Sequence, residues 1–334
     1  MITKEKILKY IKKNGPSSGK EIADAMNVSR QAVHKHIKKL RKKDKLIKIG
    51  RTKSAKYHIK GNKNTTKKFS RRYVLHQIEE DKVFREFNLS LGLKKRLSEN
   101  SFSVFNYAFT EILNNAMDHS KSEKCDIDVF LDEYNATFSI RDYGIGIFYS
   151  IFDNLDLKDE YEAVTELMQG KTTTMEKYHS GEGIFFTSKL ADRMSIRSHK
   201  IKICIDNKKD DIYYEKEKKI KGTLVEFTIS KQTRKSLENI FNKFAPEEFD
   251  FRFEKTHVYV KMLRANLLSR AEAKRLLSRL DKFSEITLDY RGVKKIGQSF
   301  ADEIYRVFQN KYPNIKIESV NANPLIESMI EHVG

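Results

Sequence analysis

The stretch FTEILNNAMDHS, residues 109–120, combines an apolar helical pattern with three polar side chains on one side. Glu111, Asn115 and Asp118 are spaced four and then three residues apart, so a helix carries them in a single stripe. Burying a carboxylate or an amide without a hydrogen-bonding partner costs free energy. The spacing therefore predicts a helix whose polar stripe faces either solvent or a polar ligand.

The segment after this helix has the alternation of a β-hairpin, CDIDVFLDEYNATFSIRDYGIGI at residues 125–147. In its second strand Asp142 shares the phase of the apolar residues Phe138 and Ile140, which predicts an acidic side chain turned toward the core. Such a carboxylate requires a hydrogen-bond donor. The glycines at 144 and 146 let another group approach the backbone closely.

Two more glycine motifs follow a segment with little pattern, residues 148–180, which predicts a long loop. SGEGIFFTSKLADRM at 180–194 places Gly181 and Gly183 before an apolar helix, where free backbone N–H groups can bind an anion. KGTLVEFTI at 221–229 predicts a strand that opens with a tight turn at Gly222 and Thr223.

The order of these four motifs resembles the GHKL ATPases, the family of gyrase, the heat-shock chaperone ATPase, histidine kinases and MutL, over residues 74–235. The resemblance implies an α/β-sandwich of the Bergerat ATP-binding type, with ATP and Mg²⁺ as cofactors. Asn115 would bind the Mg²⁺, and Glu111 would orient or deprotonate the attacking water or hydroxyl. Asp142 would accept a hydrogen bond from the adenine amino group.

The same resemblance implies further contacts with the nucleotide. Residues 148–180 would form the lid over ATP, while Asp118 and Thr223 would reach the site through water. The remaining nucleotide-binding residues that it implies are Gly144, Gly146, Lys171, Thr172, Gly181, Glu182 and Gly183.

Positive charge is concentrated at the beginning of the chain. The 334 residues carry a net charge of +19. Residues 1–72 hold 24 Lys and Arg against 4 Asp and Glu, a net charge of +20, whereas the rest of the chain holds 41 and 42, a net charge of −1. This asymmetry predicts a basic domain that meets a polyanion, joined to a neutral body.

The basic segment, residues 1–60, has the pattern helix, helix, turn, helix, hairpin, with helices predicted at 4–14 and after an N-cap at Ser29. Around IADAMNVSRQAVHKHIKKL, residues 22–40, it resembles a winged helix-turn-helix domain, whose third helix enters the major groove. This implies double-stranded DNA as a partner, although a winged helix used only for protein contacts remains an alternative. Residues 61–73 predict a basic linker. The implied base-reading residues are Ser29, Arg30, Gln31, His34 and Lys35, and the implied phosphate contacts are Lys38, Lys39, Arg51 and Lys53.

Alternating helix and strand patterns over residues 254–334 predict a small α/β domain. Its stretch ITLDYRGVKKIGQSFADEI, residues 286–304, resembles a STAS-like domain, the fold of anti-sigma-factor antagonists, which implies a protein partner. Those antagonists are phosphorylated on a serine, and here Gln298 stands at the usual acceptor position with Ser299 beside it. We predict Ser299 as the N-cap of the helix that begins at Phe300, in preference to a phosphorylation site.

The sequence thus predicts a multidomain α/β protein: winged helix, Bergerat-type sandwich and STAS-like domain. It favours an ATP-dependent DNA-binding regulator in which Mg-ATP and slow hydrolysis control conformation or assembly as a homodimer. Two alternatives remain open, a serine protein kinase of anti-sigma type and an ATP-sensing transcription factor without turnover. Because no apolar stretch approaches the roughly 18 residues of a membrane span and the two cysteines lie far apart, we expect no membrane contact and a cytoplasmic location.

Overall fold

A computed structural model of the chain describes residues 3–14, 16–49, 55–59, 67–170, 182–244, 255–263 and 267–333. These residues form three packed units, each built around its own sheet. The architecture is the α/β multidomain fold that the sequence predicts. Across the described ranges, no helix combines the length and the hydropathy needed to cross a membrane.

The first unit is the winged helix. Its predicted first helix is confirmed, and so is the N-cap at Ser29, whose side chain accepts a hydrogen bond from the backbone N–H of Ala32 at 3.2 Å. Its small core includes the fully buried Ile7 and Val33. The sheet order is β1-β3-β2. The elements are α1 (Lys4–Asn14), β1 (Ser17–Ser18), α2 (Gly19–Ala25), α3 (Arg30–Lys42), β2 (Leu46–Ile49) and β3 (Lys56–Ile59).

A seven-stranded antiparallel sheet forms the centre of the molecule, in the order β4-β5-β6-β10-β7-β8-β9. The strands are β4 (Lys67–Val74), β5 (Lys124–Leu131), β6 (Asn135–Asp142), β7 (Arg193–Ser198), β8 (Ile201–Asp206), β9 (Asp211–Lys216) and β10 (Thr223–Ser230). The predicted hairpin is therefore confirmed as β5 and β6. Phe138 and Phe227 stack on the inner face with ring centroids 5.1 Å apart.

Helices cover that inner face of the sheet. They are α4 (Glu80–Leu91), α5 (Glu99–His119), α6 (Ile147–Asn154), α7 (Glu160–Gln169), α8 (Gly183–Leu190) and α9 (Leu237–Phe244). The helix α5 is central, because its Phe105 and Phe109 pack edge-on against Phe138 of the sheet. This packing fixes which side of α5 is left for polar residues.

Two predictions for this unit are wrong. Residues 67–73, predicted as linker, belong to β4, an edge strand that pairs with β5. Half of its side chains are charged and exposed, so the apolar alternation that reveals a strand is weak there, although Tyr73 is buried. The segment 148–180, predicted as a loop, includes α6 and α7, which bury residues such as Ile151 and Val164.

The last unit is a parallel three-stranded sheet, β11-β12-β13, packed with helices. Its elements are β11 (Lys255–Tyr259), α10 (Arg270–Leu276), β12 (Glu285–Asp289), α11 (Gln298–Asp302), a π-helical segment (Glu303–Phe308), α12 (Gln309–Lys311), β13 (Lys316–Val320) and α13 (Pro324–Val333). The predicted N-cap at Ser299 is wrong, since the helix begins at Gln298 and its N-cap is Gly297. A side chain at Gly297 would lie 2.6 Å from the carbonyl oxygen of Leu268, so this position requires glycine.

Candidate functional site

The helix α5 places Glu111 directly against the first residue of α8. A Cβ built on Gly183 would overlap Oε2 of Glu111 and lie 3.0 Å from its Cδ, so only glycine leaves room for this carboxylate. The predicted base and the predicted phosphate-binding turn are therefore in contact. The start of a helix is where backbone N–H groups can bind an anion.

Asn115 lies one turn further along α5. Its side-chain Nδ2 donates to the carbonyl oxygen of Glu111 at 2.7 Å, so the amide oxygen is the atom that remains to bind a metal ion. Asp118, the third member of the predicted stripe, is exposed in the last turn of α5. The structure thus brings Glu111, Asn115 and Gly183 together and leaves Asp118 at the rim.

Tyr107 is a site residue that the sequence did not reveal. It lies one turn before Glu111, and burial together with the negative charges of Glu111 and Glu182 raises the pKa of its phenol. This places Glu182 near the same carboxylate. A tyrosine in an apolar helical stripe looks like an ordinary core residue, so spacing gave no signal for it.

Asp142 is buried at the end of β6, as its strand phase predicts. Its Oδ1 accepts hydrogen bonds from the backbone N–H groups of Gly144, at 2.9 Å, and of Thr223, at 3.1 Å. Burial raises the pKa of Asp142, and these two hydrogen bonds oppose the shift. Gly222, at φ +73°, is required beside it, since a Cβ there would lie 2.7 Å from the carbonyl carbon of Asp142.

The loop after Asp142 packs on the C-terminal end of α5. Ile145 donates its backbone N–H to the carbonyl oxygen of Ser120 at 2.9 Å. A Cβ on Gly144 would overlap that same carbonyl group, and Gly146 has a φ of +88°. Both glycines are therefore needed for this close approach.

A buried hydroxyl without a partner lies beside this loop. A Cβ on Gly146 would be 2.5 Å from Oγ of Ser198, and among the described residues that oxygen makes no hydrogen bond. Thr223 closes the other side, because its Oγ1 accepts the backbone N–H of Ile147 at 3.0 Å. Thr223 was predicted to act through water; here it also organises the loop directly.

These contacts define one site along α5. Ser120 lies nine positions after Glu111, which corresponds to roughly 13 Å along a helix. At one end of this site, Glu111 and Asn115 of α5 lie beside Gly183 of α8. At the other end, the C-terminus of α5 meets the loop that follows Asp142. Of the remaining predicted residues, Lys171, Thr172 and Gly181 lie outside the described part of the chain.

The predicted DNA-reading residues lie at the start of α3. Ser29 uses its side chain as the N-cap, and the four other predicted base-reading residues are exposed. Lys38 and Lys39 are exposed further along α3, whereas Arg51 and Lys53 fall outside the described residues. Four of the base-reading residues line a cleft of about 910 Å³ opposite the outer face of the central sheet: Arg30, Gln31, His34 and Lys35.

Comparison with known families identifies both ends of the chain. Residues 2–47 match the family described as winged helix-turn-helix DNA-binding, and residues 272–327 match the STAS-like domain of unknown function (DUF4325). The comparison with curated proteins finds no match. The chain thus carries a winged helix-turn-helix DNA-binding domain and a STAS-like domain, and neither match reaches the site on α5.

Proposed function

We propose that the chain is an ATP-dependent DNA-binding regulator, with Mg-ATP bound along α5 and hydrolysed slowly. One observation carries the proposal: a single helix holds Glu111 against the glycine start of α8 and meets the loop after Asp142 at its other end. An acid, an amide that would bind the metal, a helix start that would bind phosphate and a buried aspartate thereby lie along α5.

The buried groups fit an adenine nucleotide. The two backbone hydrogen bonds to the Asp142 carboxylate both use Oδ1, and the Thr223 side chain also hydrogen-bonds this carboxylate. Oδ2 would accept from an adenine amino group. The unpartnered Ser198 hydroxyl lies beside Gly146, where a polar edge of the base would supply its partner. The start of α8 at Gly183 would bind the phosphates through backbone N–H groups.

Magnesium would depend on Asn115 and on the nucleotide. In the described ranges there is no cluster of three or more His, Cys, Asp or Glu side chains placed to hold a metal ion. Mg²⁺ commonly takes one or two protein oxygens and completes its shell with phosphate and water. When bound, the ion would neutralise phosphate charge, while Glu111 would orient and deprotonate the attacking water.

Helix α7, within the predicted lid, and helix α8, which follows the lid, both contact the STAS-like domain. Thr256 of β11 donates to the carbonyl oxygen of Gln169, the last residue of α7, at 2.6 Å. Phe185 and Phe186 of α8 belong to the core of the STAS-like domain. A nucleotide that moves α7 against α8 would therefore move the surface through which a protein partner, or a second copy of the chain in a homodimer, would bind.

The fate of γ-labelled ATP tests this function. We expect free labelled phosphate, and Glu111→Gln should keep ATP binding while losing phosphate release. Glu99→Gln, an exposed glutamate in the first turn of the same helix, is the matched control and should hydrolyse ATP normally. Normal release by Glu111→Gln would refute the role of Glu111. Label on the protein would favour the kinase alternative, and unchanged ATP would favour the sensor.

DNA binding is tested separately on α3. Lys38→Ala and Lys39→Ala, at the predicted phosphate contacts, should each weaken binding to a duplex, and each lost phosphate contact should reduce the salt dependence of binding by about one unit of slope. Unchanged affinity in the double variant would assign the winged helix to protein contacts.

A further inference from the structure

The winged helix is docked on the outer face of the central sheet, opposite the helices that carry the nucleotide site. Along β10, Val225 and Phe227 point into the main core, whereas Glu226 points the other way and meets Lys56 of the winged helix. We propose that this outer face is a docking surface for the chain's own winged helix, and that docking excludes duplex DNA from α3.

Charged contacts between complementary groups hold the two units together. Lys56 Nζ donates to Glu226 Oε2 at 2.9 Å. Although burial alone would raise the pKa of Glu226, the charges of Lys56 and Lys202 lower it to about 2. Arg193 of β7 donates to the Glu21 carboxylate at 2.8 Å.

Arg193 also fixes the backbone of the winged helix. Its guanidinium donates to the carbonyl oxygens of Asn14, at 3.2 Å, and of Pro16, at 3.1 Å. Its side chain is 13% exposed and forms a second ion pair with the buried Asp206 at 3.1 Å. A single arginine of the sheet therefore contacts the end of α1 and the start of α2 together.

In this arrangement α3 faces protein at close range. Arg30 and Lys35 share the cleft of about 910 Å³ with Arg197 and Lys218 of the central unit. That volume corresponds to a small-molecule pocket, roughly 300–1,000 Å³. A helix that reads DNA lies in a groove about 12 Å wide with a sugar-phosphate backbone on each side. Because a cleft of about 910 Å³ is small for a duplex with both of its backbones, we expect that α3 must leave the sheet before it can read DNA, although its reading residues are exposed to solvent.

The docking surface is suited to release. The core of the winged helix and the main core share no residue among those described, so no continuous apolar core joins the two units. The central-unit wall of the cleft carries both signs of charge, and its Arg197 and Lys202 pair with Glu217 and Glu215 of the same unit and not with α3. Polar interfaces of this kind open readily, and a polyanion that binds α3 competes with them.

A charge-matched pair of variants tests the proposal, which rests on the DNA binding proposed above. Glu226→Gln removes the partner of Lys56 and leaves the winged helix unaltered. Glu215→Gln makes the same charge change on the same cleft, but Glu215 pairs with Lys202 inside the central unit. We expect Glu226→Gln to bind duplex DNA roughly 5- to 100-fold more tightly than Glu215→Gln. Equal affinities would overturn the proposal.

A cross-link supplies an independent test if Glu226→Gln folds poorly. The double variant Lys56→Cys, Glu226→Cys is joined with a short bismaleimide and compared with the same protein capped by N-ethylmaleimide; the native Cys125 and Cys204 are buried. The cross-linked form should lose at least tenfold in DNA affinity relative to the capped form, a loss in the range of measured coupling between sites. Unchanged affinity after cross-linking would overturn the docking proposal alone. If neither the cross-linked nor the capped protein binds DNA, the DNA-binding function is overturned and this proposal with it.

Discussion

Replacing Asp142 with asparagine tests the nucleotide site with little disturbance of the fold. An asparagine Oδ1 can still accept the backbone N–H groups of Gly144 and Thr223, now at 2.9 and 3.1 Å. Only the second oxygen changes, from an acceptor into an NH₂ donor. That donor would face the amino group of adenine, itself a donor.

The size of the expected effect follows from the hydrogen bond that is lost. A hydrogen bond to a charged group contributes about 1.5–3 kcal/mol, which corresponds to roughly 10- to 150-fold in dissociation constant. The stability of the fold should not fall, because burial raises the pKa of Asp142 and an amide avoids the cost of the buried charge.

Isothermal titration calorimetry with Mg-ATP measures this loss. The matched control is Asp132→Asn, since Asp132 is also buried and its Oδ1 accepts the backbone N–H groups of Tyr134 and Asn135 at the other end of the hairpin. We expect the control to bind Mg-ATP like the parent protein. If Asp142→Asn binds ATP as tightly as Asp132→Asn does, Asp142 does not contact the base.

Three further substitutions have distinct expected outcomes. Gly183→Ala should displace the Glu111 carboxylate and slow ATP hydrolysis roughly 100-fold, while stability changes by less than about 1 kcal/mol, because the obstructed atoms end a flexible side chain. Gly222→Ala should cost about 1–3 kcal/mol in chemical denaturation and weaken ATP binding, since its φ is +73° and the obstruction is the Asp142 backbone. His58→Gln should remove a pH dependence of docking. Burial lowers the pKa of His58, so the docked state binds fewer protons than the undocked state. Docking is therefore favoured above the ordinary histidine pKa and weakens as the pH falls below it.

Gly183→Ala has a matched control variant. Gly19→Ala, also at the first position of a helix, meets only a ring carbon of Tyr57 at 3.8 Å and should leave hydrolysis unchanged. A full rate in Gly183→Ala would contradict the role of the contact with Glu111. For His58, the groups that face it are Asp132 at 3.7 Å, Lys56 and Glu226. The measurement is the DNA affinity at about pH 7.5 and at about pH 5.5. If lowering the pH strengthens DNA binding by His58→Gln as much as it does for the parent protein, another group is responsible.

Local patterns explain why the site was predictable from the sequence. Asp142 was placed toward the core because strand phase depends only on alternation, and it is 5% exposed. Glu111 and Asn115 were placed on one helical stripe by spacing alone. The N-cap at Ser29 follows from the side-chain chemistry of serine before an apolar helix.

Features that depend on contacts between distant residues were not predictable in the same way. The strand at 67–74 is charged, and its pairing with β5 becomes visible only when the partner strand is in place, as in the ion pair of Arg72 with Asp126 at 2.6 Å. Tyr107 lies near Glu182, whose charge helps to raise the pKa of its phenol, although Glu182 is 75 residues away in sequence. Docking of the winged helix depends on Arg193 and Glu226, which have no distinguishing pattern within their own strands.

The central claim is that nucleotide occupancy controls DNA binding. The direct measurement is the duplex affinity of Glu111→Gln, which should hold ATP without consuming it, with saturating Mg-ATP and without nucleotide at one salt concentration. We expect the two dissociation constants to differ by roughly fivefold or more, and Asp142→Asn to show no difference. Identical affinities in Glu111→Gln, with calorimetry confirming that ATP is bound, would contradict the account.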